Sequence, residues 1–390
     1  MSAREAPRRA ACRPTLRVAM LPMLPSLNAA TRAFCERPLH YLAAFGISGR
    51  LFEPSGNRTY RWLQRPGSRW RLPLAAAYWY LVVLPRRLGQ LVWVLGYDVV
   101  FIQRSLLRSN SPPILEAALW LLAGRLLGRR IVYHCDDALH TVTRPGWYRA
   151  RFRMADWVMT GSEEVARFAG TVNPRVWRFD APLEIDRYPV KRHRGTYPVT
   201  IGWVGNYAEE YLTPVLDALA CVCRRLPARV KVVSGQPFEA PELGDRLTWV
   251  PWSLERRFAL FADFDIGIMP LADTPYNRGK ESYKLKEYMA AGLPVVCSPV
   301  GHNRQVMKHG TVGYFARTEQ EWVDHIVRLI EDPDLRARLG GTGRRLAEER
   351  YAFPPQARRL AAFLWAVGRD WDRQEARTVG AGGVRNLSEL

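Results

Sequence analysis

The chain has 390 residues, which exceeds one ordinary hydrophobic core and predicts two domains of roughly 100 to 200 residues each. Hydrophobic residues make up 48% of it, which excludes a chain that is disordered throughout. The net charge of +20 predicts attraction to an anionic partner: a phosphorylated substrate, phospholipid headgroups or nucleic acid. Arginine is spread along the chain and no zinc-finger or RNA-binding signature occurs, so we do not expect nucleic-acid binding.

The first half of the chain alternates short β-branched runs with longer helical patterns, as parallel α/β domains do. A helix is predicted from Pro113 to Leu127 with Ser111 as its N-cap, and another begins after Ser162. The predicted strands of this half are 16–21, 98–103, 130–135 and 156–161.

The most apolar region is 72–103. Its longest uninterrupted run, 72–84, is shorter than the ~20 residues that a membrane-spanning helix needs. Because it is rich in tryptophan and tyrosine and is followed by Arg86 and Arg87, it is expected either to lie in a bilayer interface or to be an internal helix packed on a sheet. The excess positive charge favours peripheral contact with an anionic membrane.

The basic N-terminus lacks a long apolar segment, which is not typical of a signal peptide. The cysteines show neither CxxC spacing nor histidines at zinc-site intervals, which predicts reduced, mostly buried thiols: Cys12, Cys35, Cys135, Cys221, Cys223 and Cys297. We therefore expect a cytoplasmic protein, with peripheral contact at the inner face of the cell membrane.

Prolines and charged residues replace the periodic pattern over 179–198, which predicts a linker. The α/β pattern then restarts, with strands in 199–206, 228–235, 264–271 and 294–299 and helices in 211–226 and 282–292. We predict disordered tails at 1–14 and 375–390, an N-terminal domain over 15–190, a C-terminal domain over 191–353, and a helix over 354–374 that returns to the N-terminal domain.

Half of the chain's six lysines fall within seven positions, whereas its fifty-one arginines are spread widely; these lysines are Lys280, Lys284 and Lys286. A helix is predicted from Ser282 to Ala291, ended by Gly292. Its sheet-facing residues are predicted to be Leu285, Tyr288 and Met289.

The loop before this helix follows a strand, so it lies at the carboxyl edge of a parallel sheet, where ligands of open α/β folds bind. Arg278 and Lys280 lie near the start of the helix, whose free N–H groups favour anions. Glu287 suits a ribose diol, because a carboxylate accepts two hydrogen bonds well. Together they predict a site for a nucleotide diphosphate. The alternative is a solvated, salt-bridged helix face formed by Glu281, Lys284 and Glu287.

The run 264–316, with TIGWVGNYAEEYL before it, resembles the retaining glycosyltransferases of family four, which have the GT-B fold: α/β, with two Rossmann-like parallel-sheet domains facing across a cleft. The pattern K-L-x-E-Y-M-A-A-G-x-P-V-V…G-x-x-G is typical of that family's donor domain. The resemblance extends over 199–351 and, in the first half, to DVVFIQR, IVYHCDDAL and ADWVMTGSEEVARF.

This resemblance implies transfer of a hexosyl group from a nucleotide-diphosphate sugar to a hydroxyl of a glycan or lipid-linked acceptor, with retention and with neither metal nor other cofactor. Enzymes of this type build polysaccharides of the bacterial cell envelope. The second domain would bind the donor and the first domain the acceptor. Glu287 matches the glutamate that binds the ribose hydroxyls, and Gly205 matches the glycine that lets backbone amides approach the diphosphate.

Two departures from the family pattern concern charge. Gly279 stands where the first glutamate is usual, and Glu281 is displaced from that position by two residues. Asn206 and Tyr211 fall near the sites where relatives carry arginine and lysine, and neither can neutralise a diphosphate. Our hypothesis is that the missing charge comes from Arg278, Lys280 and Lys284.

In the first domain, Asp136 and Asp137 are predicted to orient the acceptor hydroxyl or to stabilise the cationic sugar, and Arg104 to hold an anionic acceptor. Either aspartate could instead be a helix N-cap. The DFD sequence at 263–265 has the form of a metal-binding motif, but we favour a role at the entry of a strand. His302 is a candidate for lining the donor pocket.

Two other functions remain open from the sequence. One is a nucleotide-sugar epimerase with the same GT-B architecture. The other is a noncatalytic nucleotide-sugar-binding subunit, which the glycine at position 279 makes conceivable. Release of nucleotide that requires an acceptor would distinguish a transferase from both.

Overall fold

The computed structural model describes residues 16–63 and 71–369. The predicted tails and Cys12 lie outside these ranges. Within them, twelve strands form two six-stranded parallel sheets, which confirms the predicted α/β architecture. The five described cysteines are free thiols, and all but the half-buried Cys221 are buried, as expected.

The first sheet has the strand order β2-β1-β3-β4-β5-β6. Helices cover both of its faces, so strands such as β3 are buried along their whole length. Its strands are β1 (Leu16–Pro22), β2 (Ile47–Leu51), β3 (Val99–Gln103), β4 (Arg130–His134), β5 (Trp157–Thr160) and β6 (Val176–Arg178).

The second sheet has the order β12-β11-β10-β7-β8-β9. The sequence pattern predicts four of its strands. It does not predict the two outer strands, β9 and β12, which are short or half-exposed. Its strands are β7 (Val199–Val204), β8 (Ala228–Ser234), β9 (Leu247–Pro251), β10 (Ile266–Met269), β11 (Val295–Cys297) and β12 (Gly313–Phe315).

Several helices contain π-helical turns, so that 29–42, 71–94 and 114–126 are each continuous helical segments. The helices of the first half are Ala29–Thr31, Arg32–Glu36 (π), Arg37–Leu42, Asn57–Leu63, Arg71–Tyr78, Trp79–Val83 (π), Leu84–Val94, Ile114–Leu119, Trp120–Leu126 (π), Pro145–Met154 and Glu163–Gly170. Those of the second half are Ala208–Leu212, Leu216–Arg225, Pro275–Arg278, Tyr283–Ala290, Asn303–Val306, Glu319–Glu331, Pro333–Tyr351 and Phe353–Gly368. Short 3₁₀ turns occur at Ala43–Phe45, Leu139–Thr141, Ile185–Arg187, Thr213–Val215, Pro241–Arg246 and Ala259–Asp263.

One of the two predicted helix caps is confirmed. The Ser162 hydroxyl accepts a hydrogen bond from the Val165 N–H at 3.2 Å. The prediction for Ser111 is wrong, because its hydroxyl donates to the Arg108 carbonyl at 2.7 Å and the helix begins after Pro113. A turn held by the serine itself has replaced the cap.

The last described helix, Phe353–Gly368, packs on the first sheet although it follows the second sheet in sequence. Leu360, Phe363 and Leu364 share a hydrophobic core with β1 and β3. The main chain therefore crosses between the two domains twice, at 179–184 and at 351–353, where Leu183 pairs with Ala352.

A buried ionic cluster joins the two domains beside these crossings. The Lys286 ammonium lies 2.7 Å from Asp180 Oδ1, and His302 Nε2 lies 2.9 Å from the same oxygen. Asp180 follows β6 of the first sheet, whereas Lys286 and His302 belong to the second domain. Burial alone raises the pKa of Asp180, but Lys286 and His302 outweigh it and hold that pKa well below the ordinary range.

We expect Asp180→Ala to lower the free energy of unfolding by ~3 kcal/mol or more, because it leaves the Lys286 ammonium buried without a partner. Since the pKa of Asp180 is depressed, this contribution is complete above pH ~4 and is lost as the pH falls further. Urea denaturation at pH 7 measures the change. In the matched double variant Asp180→Ala/Lys286→Met, much of the loss should be recovered, and a single variant as stable as wild type would contradict the assignment.

Candidate functional site

The carboxyl edges of the two sheets face each other across a cleft. A cavity of about 450 Å³ opens there between the domains. Thr141 and Val142 line it from the first domain, and the second domain contributes Glu210, Tyr211, Ala272, Thr274, Pro275, Tyr276 and Asn277. The loops that follow β4, β7 and β10 therefore form a shared site.

Backbone strain is concentrated at the carboxyl edges of the two sheets. Among the described residues, the non-glycine residues with positive φ are Arg104 (64°), Tyr207 (59°) and Ser282 (55°). Arg104 directly follows β3, Tyr207 lies in the turn after β7, and Ser282 immediately precedes the helix Tyr283–Ala290. Left-handed backbone of this kind is costly and clusters at functional sites, which supports a functional role for this edge.

The side chain of Lys284 extends from the first turn of its helix to the end of β7. Its ammonium lies over the Trp203 ring, 4.4 Å from the ring centroid, and 5.1 Å from the Tyr211 centroid. A Cβ on Gly205 would overlap the Lys284 Nζ atom, so only glycine leaves room for it. Among the described residues, Lys284 has no anionic hydrogen-bond partner, which leaves the ammonium free for an anion from the cleft.

Lys280 lies beside Lys284 in the same cleft. Its ammonium is 4.6 Å from the Tyr276 ring centroid and 5.3 Å from that of Tyr211. Burial raises the pKa of Asp137 of the first domain, and the charge of Lys280 is one of those that oppose this rise. Lys280 is therefore a cation at the domain boundary.

Glu287 lies one turn further along the helix from Lys284. Tyr188 donates its phenolic hydrogen bond to Glu287 Oε1 at 2.8 Å, which orients the carboxylate. The other oxygen, Oε2, has no partner among the described residues. A carboxylate with one oxygen held by a hydrogen bond and the other oxygen free is suited to accept hydrogen bonds from a hydroxyl ligand.

Both Lys284 and Glu287 have lost much of their solvation. Burial lowers the pKa of Lys284 to about 7 and raises that of Glu287 to about 7. The alternative of a solvated, salt-bridged helix face is therefore wrong, because these side chains are recessed in the cleft and form no ion pair with each other.

Across the cleft, Arg104 holds a pair of aspartates. Its Nε donates to Asp136 Oδ1 at 2.6 Å, and one terminal nitrogen donates to both Asp136 Oδ2 and Asp137 Oδ2, the latter at 2.8 Å. Asp136 is the more enclosed, with 8% of its side chain exposed against 21% for Asp137. Burial raises the pKa of Asp136 but the Arg104 guanidinium lowers it below its ordinary value, whereas burial and the neighbouring Asp136 raise the pKa of Asp137.

This geometry corrects the role predicted for Arg104. Its guanidinium is committed to two carboxylates, so it is not free to hold an anionic acceptor. Its action is to fix the aspartates, while Asp137 Oδ1 has no hydrogen-bond partner among the described residues. The alternative of an aspartate N-cap does not apply, because the residues after β4 form a turn at Leu139–Thr141 that no aspartate side chain caps.

Of the three cations predicted to supply charge to a diphosphate, only Lys280 and Lys284 lie in the cleft. Arg278 pairs with Asp273, with Nε 2.6 Å from Oδ1, and 52% of its side chain is exposed. It lies outside the cleft, so the hypothesis that it supplies charge to a diphosphate is not supported. Asn206 is also exposed at the rim, with its Oδ1 directed at Gly235 after β8.

Gly279 and Glu281 contact the first domain instead of the cavity. A Cβ on Gly279 would overlap that of Ala138, whose backbone N would lie only 3.2 Å away. Glu281 is buried and accepts a hydrogen bond from the Gly161 N–H at 2.8 Å. Both positions therefore join the domains, and Glu281 is not placed to grip a sugar.

Two further candidates have structural contacts. Asp265 accepts a hydrogen bond from the Thr200 N–H at 2.8 Å, and Asp263 pairs with Lys231, which agrees with a role at the strand entry. His302 lies in the interdomain ionic cluster and does not line the cavity. No group of three or more His, Cys, Asp or Glu side chains that could hold a metal ion occurs within 16–63 and 71–369.

Sequence reasoning missed the side chains that hold the site in place. Tyr188 lies in the predicted linker, and Trp203 and Tyr211 supply the aromatic surface under the two lysines. The only sequence signal for these three side chains is that they lie near strand ends or in the linker. That signal does not show which aromatic ring contacts which lysine.

Comparisons with known proteins agree with this geometry. Residues 198–332, about a third of the chain, match the family model described as "Glycosyl transferases group 1". No curated protein matches the chain significantly. Among solved structures, the Anabaena protein HepE in complex with UDP and glucose is 16% identical, with a TM-score of 0.65 over 90% of this chain and 100% of that one.

Two other solved structures are similar over most of their length. The sucrose-phosphate synthase of Thermosynechococcus elongatus is 13% identical, with a TM-score of 0.65 over 89% of this chain and 98% of that one. The lipopolysaccharide outer core galactosyltransferase WaaB is 16% identical, with a TM-score of 0.60 over 89% and 99%. The chain therefore has the GT-B architecture, with a group 1 glycosyl transferase domain at residues 198–332.

Proposed function

We propose that this protein is a retaining glycosyltransferase that moves a hexosyl group from a nucleotide-diphosphate sugar to a hydroxyl of a glycan or lipid-linked acceptor. The observation that carries the proposal is the position of Lys284. Its unpaired ammonium lies against Gly205 at the end of β7, at the edge of an interdomain cavity, and Glu287 lies one helical turn away.

The second domain supplies the donor contacts. Lys284 and Lys280 neutralise the diphosphate, while the helix Tyr283–Ala290 presents free N–H groups at its start. Glu287 Oε2 accepts hydrogen bonds from the ribose hydroxyls. UDP and UDP-glucose, which occupy the HepE structures, are suitable first ligands to test.

The first domain supplies the carboxylate that acts on the sugar. Gly279 replaces the glutamate usual at its position, and the first-domain loop around Ala138 occupies the space of that side chain. Asp137, the residue before Ala138, brings a carboxylate to this place from the opposite side of the cleft. We assign to Asp137 the orientation of the acceptor hydroxyl or the stabilisation of the cationic sugar.

The chemistry follows from where charge develops. As the nucleotide diphosphate departs, negative charge builds on its β-phosphate, and the two lysines and the amide dipoles stabilise it. The anomeric carbon becomes cationic, and the Asp137 carboxylate stabilises that charge. Attack of the acceptor from the side of the departing group gives retention without an enzymatic nucleophile. The chain's own residues suffice for these steps, so we propose no metal.

The proposed ribose contact has a direct test. Glu287→Gln should weaken UDP binding roughly 10-fold, because a hydrogen bond to a charged group contributes ~1.5 kcal/mol or more. Binding of inorganic pyrophosphate should not change, since it lacks the ribose. Isothermal titration calorimetry with both ligands measures the difference, and an equal loss for the two would show that Glu287 does not contact the pentose.

Activity itself is tested with a panel of nucleotide sugars. A true donor at about 100 times its dissociation constant should stabilise the protein by ~2.7 kcal/mol against thermal unfolding. Release of free nucleotide from that donor should depend on a lipid-linked glycan acceptor. Conversion of the sugar without acceptor would point to an epimerase, and binding without turnover to a noncatalytic subunit.

A further inference from the structure

Two helical segments of the N-terminal domain turn apolar side chains toward solvent. The most exposed are Leu81 and Leu126, each at 75%, with Ile114 at 71%, Val92 at 70% and Trp93 at 68%. We define the apolar outer face as the exposed side chains Leu74, Tyr80, Leu81, Val82, Leu88, Val92 and Trp93 of segment 71–94 and Ile114, Leu121, Leu122 and Leu126 of segment 114–126.

The two segments lie on the same face of the first sheet. Leu91 and Val94 of one segment and Leu119 and Ala123 of the other are buried in one hydrophobic core with β1, β3 and β4. Their outer sides therefore face the same direction. Single exposed apolar residues are ordinary, but eleven on two segments of one sheet face form a patch of the kind that marks an interaction surface.

The charges in this part of the sequence are predominantly positive. The sequence 71–130 contains eight arginines, no lysine and two acidic residues, Asp98 and Glu116. Neither acidic side chain is available at the surface: Asp98 pairs with Arg17 and Arg129, and the buried Glu116 pairs with Arg151. The exposed arginines on the two segments include Arg86 and Arg125.

The hydrogen bonds of a buried arginine show where the apolar outer face lies relative to the cleft. Arg87 donates hydrogen bonds to the carbonyls of Pro22, Phe52 and Leu106, the last two at 2.8 and 2.7 Å. These carbonyls lie at or just after the carboxyl ends of β1, β2 and β3. Since the helical segment ends at Val94 near the opposite edge, its residues before Arg87 continue past the carboxyl edge by up to about 20 Å. The apolar outer face thus reaches the carboxyl edge of the first sheet, the edge at which Asp137 follows β4.

We propose that the apolar outer face binds the interface of an anionic lipid bilayer. Exposed leucine, valine and aromatic side chains enter the headgroup and acyl boundary while arginines pair with lipid phosphates, as amphipathic surface helices do. No helix among the described residues is both long and apolar enough to cross a membrane. A second copy of this chain is a poorer occupant, because a two-fold contact would bring the same arginines against one another.

The test is co-sedimentation of the full chain with vesicles. Wild type should bind vesicles of 30% phosphatidylglycerol in phosphatidylcholine, and bind pure phosphatidylcholine vesicles at least tenfold more weakly. The triple variant Leu81→Gln/Val92→Gln/Trp93→Gln should lower the partition coefficient on the anionic vesicles at least tenfold. Its control is Val190→Gln, an apolar residue of the linker that is 56% exposed, which should bind as wild type does.

A second variant tests the charge. Arg86→Gln/Arg125→Gln should lower the partition coefficient on anionic vesicles by roughly 30-fold, on the basis of about 1 kcal/mol per arginine near the surface. The control with the same net charge, Arg224→Gln/Arg345→Gln in the second domain, should not. Circular dichroism and the affinity for UDP verify that each variant is folded.

Three results would overturn the proposal. One is a wild-type protein that does not sediment with anionic vesicles. Another is a folded triple variant that sediments as well as wild type. The third is a wild-type dimer in light scattering that the triple variant converts to a monomer, which would show that the face binds a second copy of the chain.

Discussion

Lys284→Met should weaken UDP binding roughly 10- to 100-fold, since a hydrogen bond between an ammonium and a phosphate contributes ~1.5–3 kcal/mol. The ammonium lies at Gly205, with no anionic partner among the described residues. The matched control is Arg278→Met, which removes one positive charge from the segment just before the helix of Lys284. It should change affinity less than twofold, because Arg278 is exposed and paired with Asp273. Titration calorimetry with UDP measures both, and equal losses would contradict the assignment.

The same lysine predicts a pH dependence. Burial lowers the pKa of Lys284 to about 7, and a diphosphate binds the protonated form. Glu287 also titrates near pH 7, but it is ionised above about pH 8 and no longer contributes there. Between pH 8 and pH 9 the dissociation constant of UDP should therefore rise roughly tenfold in wild type. In Lys284→Met this slope should be absent; a slope that persists would mean that another group titrates.

Asp137→Asn should lower the turnover number by roughly 100-fold or more with little change in UDP affinity. Catalytic carboxylates that act on a reacting group typically contribute about 10²–10⁴-fold. The amide keeps the shape of the side chain and still accepts the hydrogen bond from Arg104, so the fold should be retained. Release of UDP from the identified UDP-sugar, with and without acceptor, measures the rate.

A matched control is Asp98→Asn, which alters an aspartate that also pairs with arginine but lies before β3, at the opposite edge of the sheet. Its rate should stay within twofold of wild type. Burial and Asp136 raise the pKa of Asp137, so the rate should rise with pH above the ordinary range of an aspartate as this carboxyl ionises. That limb of the profile should disappear in Asp137→Asn. An unchanged rate in this variant would exclude Asp137 from the reaction.

Much of the secondary structure could be predicted because its signals are local. β3 and β4 contain the apolar runs VVFI and IVY, and the helix Tyr283–Ala290 has its apolar residues at helical spacing and ends before Gly292, whose φ is +69°. The three-residue strands β6 (VWR) and β12 (GYF) lack the continuous β-branched run that indicates β11 (VVC), so the sequence did not reveal them.

The candidate site could be predicted only in outline. The order of strand, loop and helix locates Lys280, Lys284 and Glu287 at the carboxyl edge of a sheet, because that order determines the edge of a parallel sheet. It does not show which cations turn into the cleft. Arg278 lies outside the cleft because it pairs with Asp273 on the surface. Lys286 does not reach the cleft because it pairs with Asp180, which is 106 positions earlier in the chain.

Periodicity, glycine and proline act over a few residues, so local patterns suffice to predict that this chain alternates strands and helices in two parallel α/β units. They also locate three clustered lysines in and just before the helix Tyr283–Ala290. It takes the tertiary structure to show that Gly279 meets Ala138, that Glu281 accepts a hydrogen bond from the Gly161 N–H, and that Asp137 lies near enough to Lys280 for their charges to interact. These contacts join residues more than a hundred positions apart, where packing between domains selects the partner and no local pattern records it.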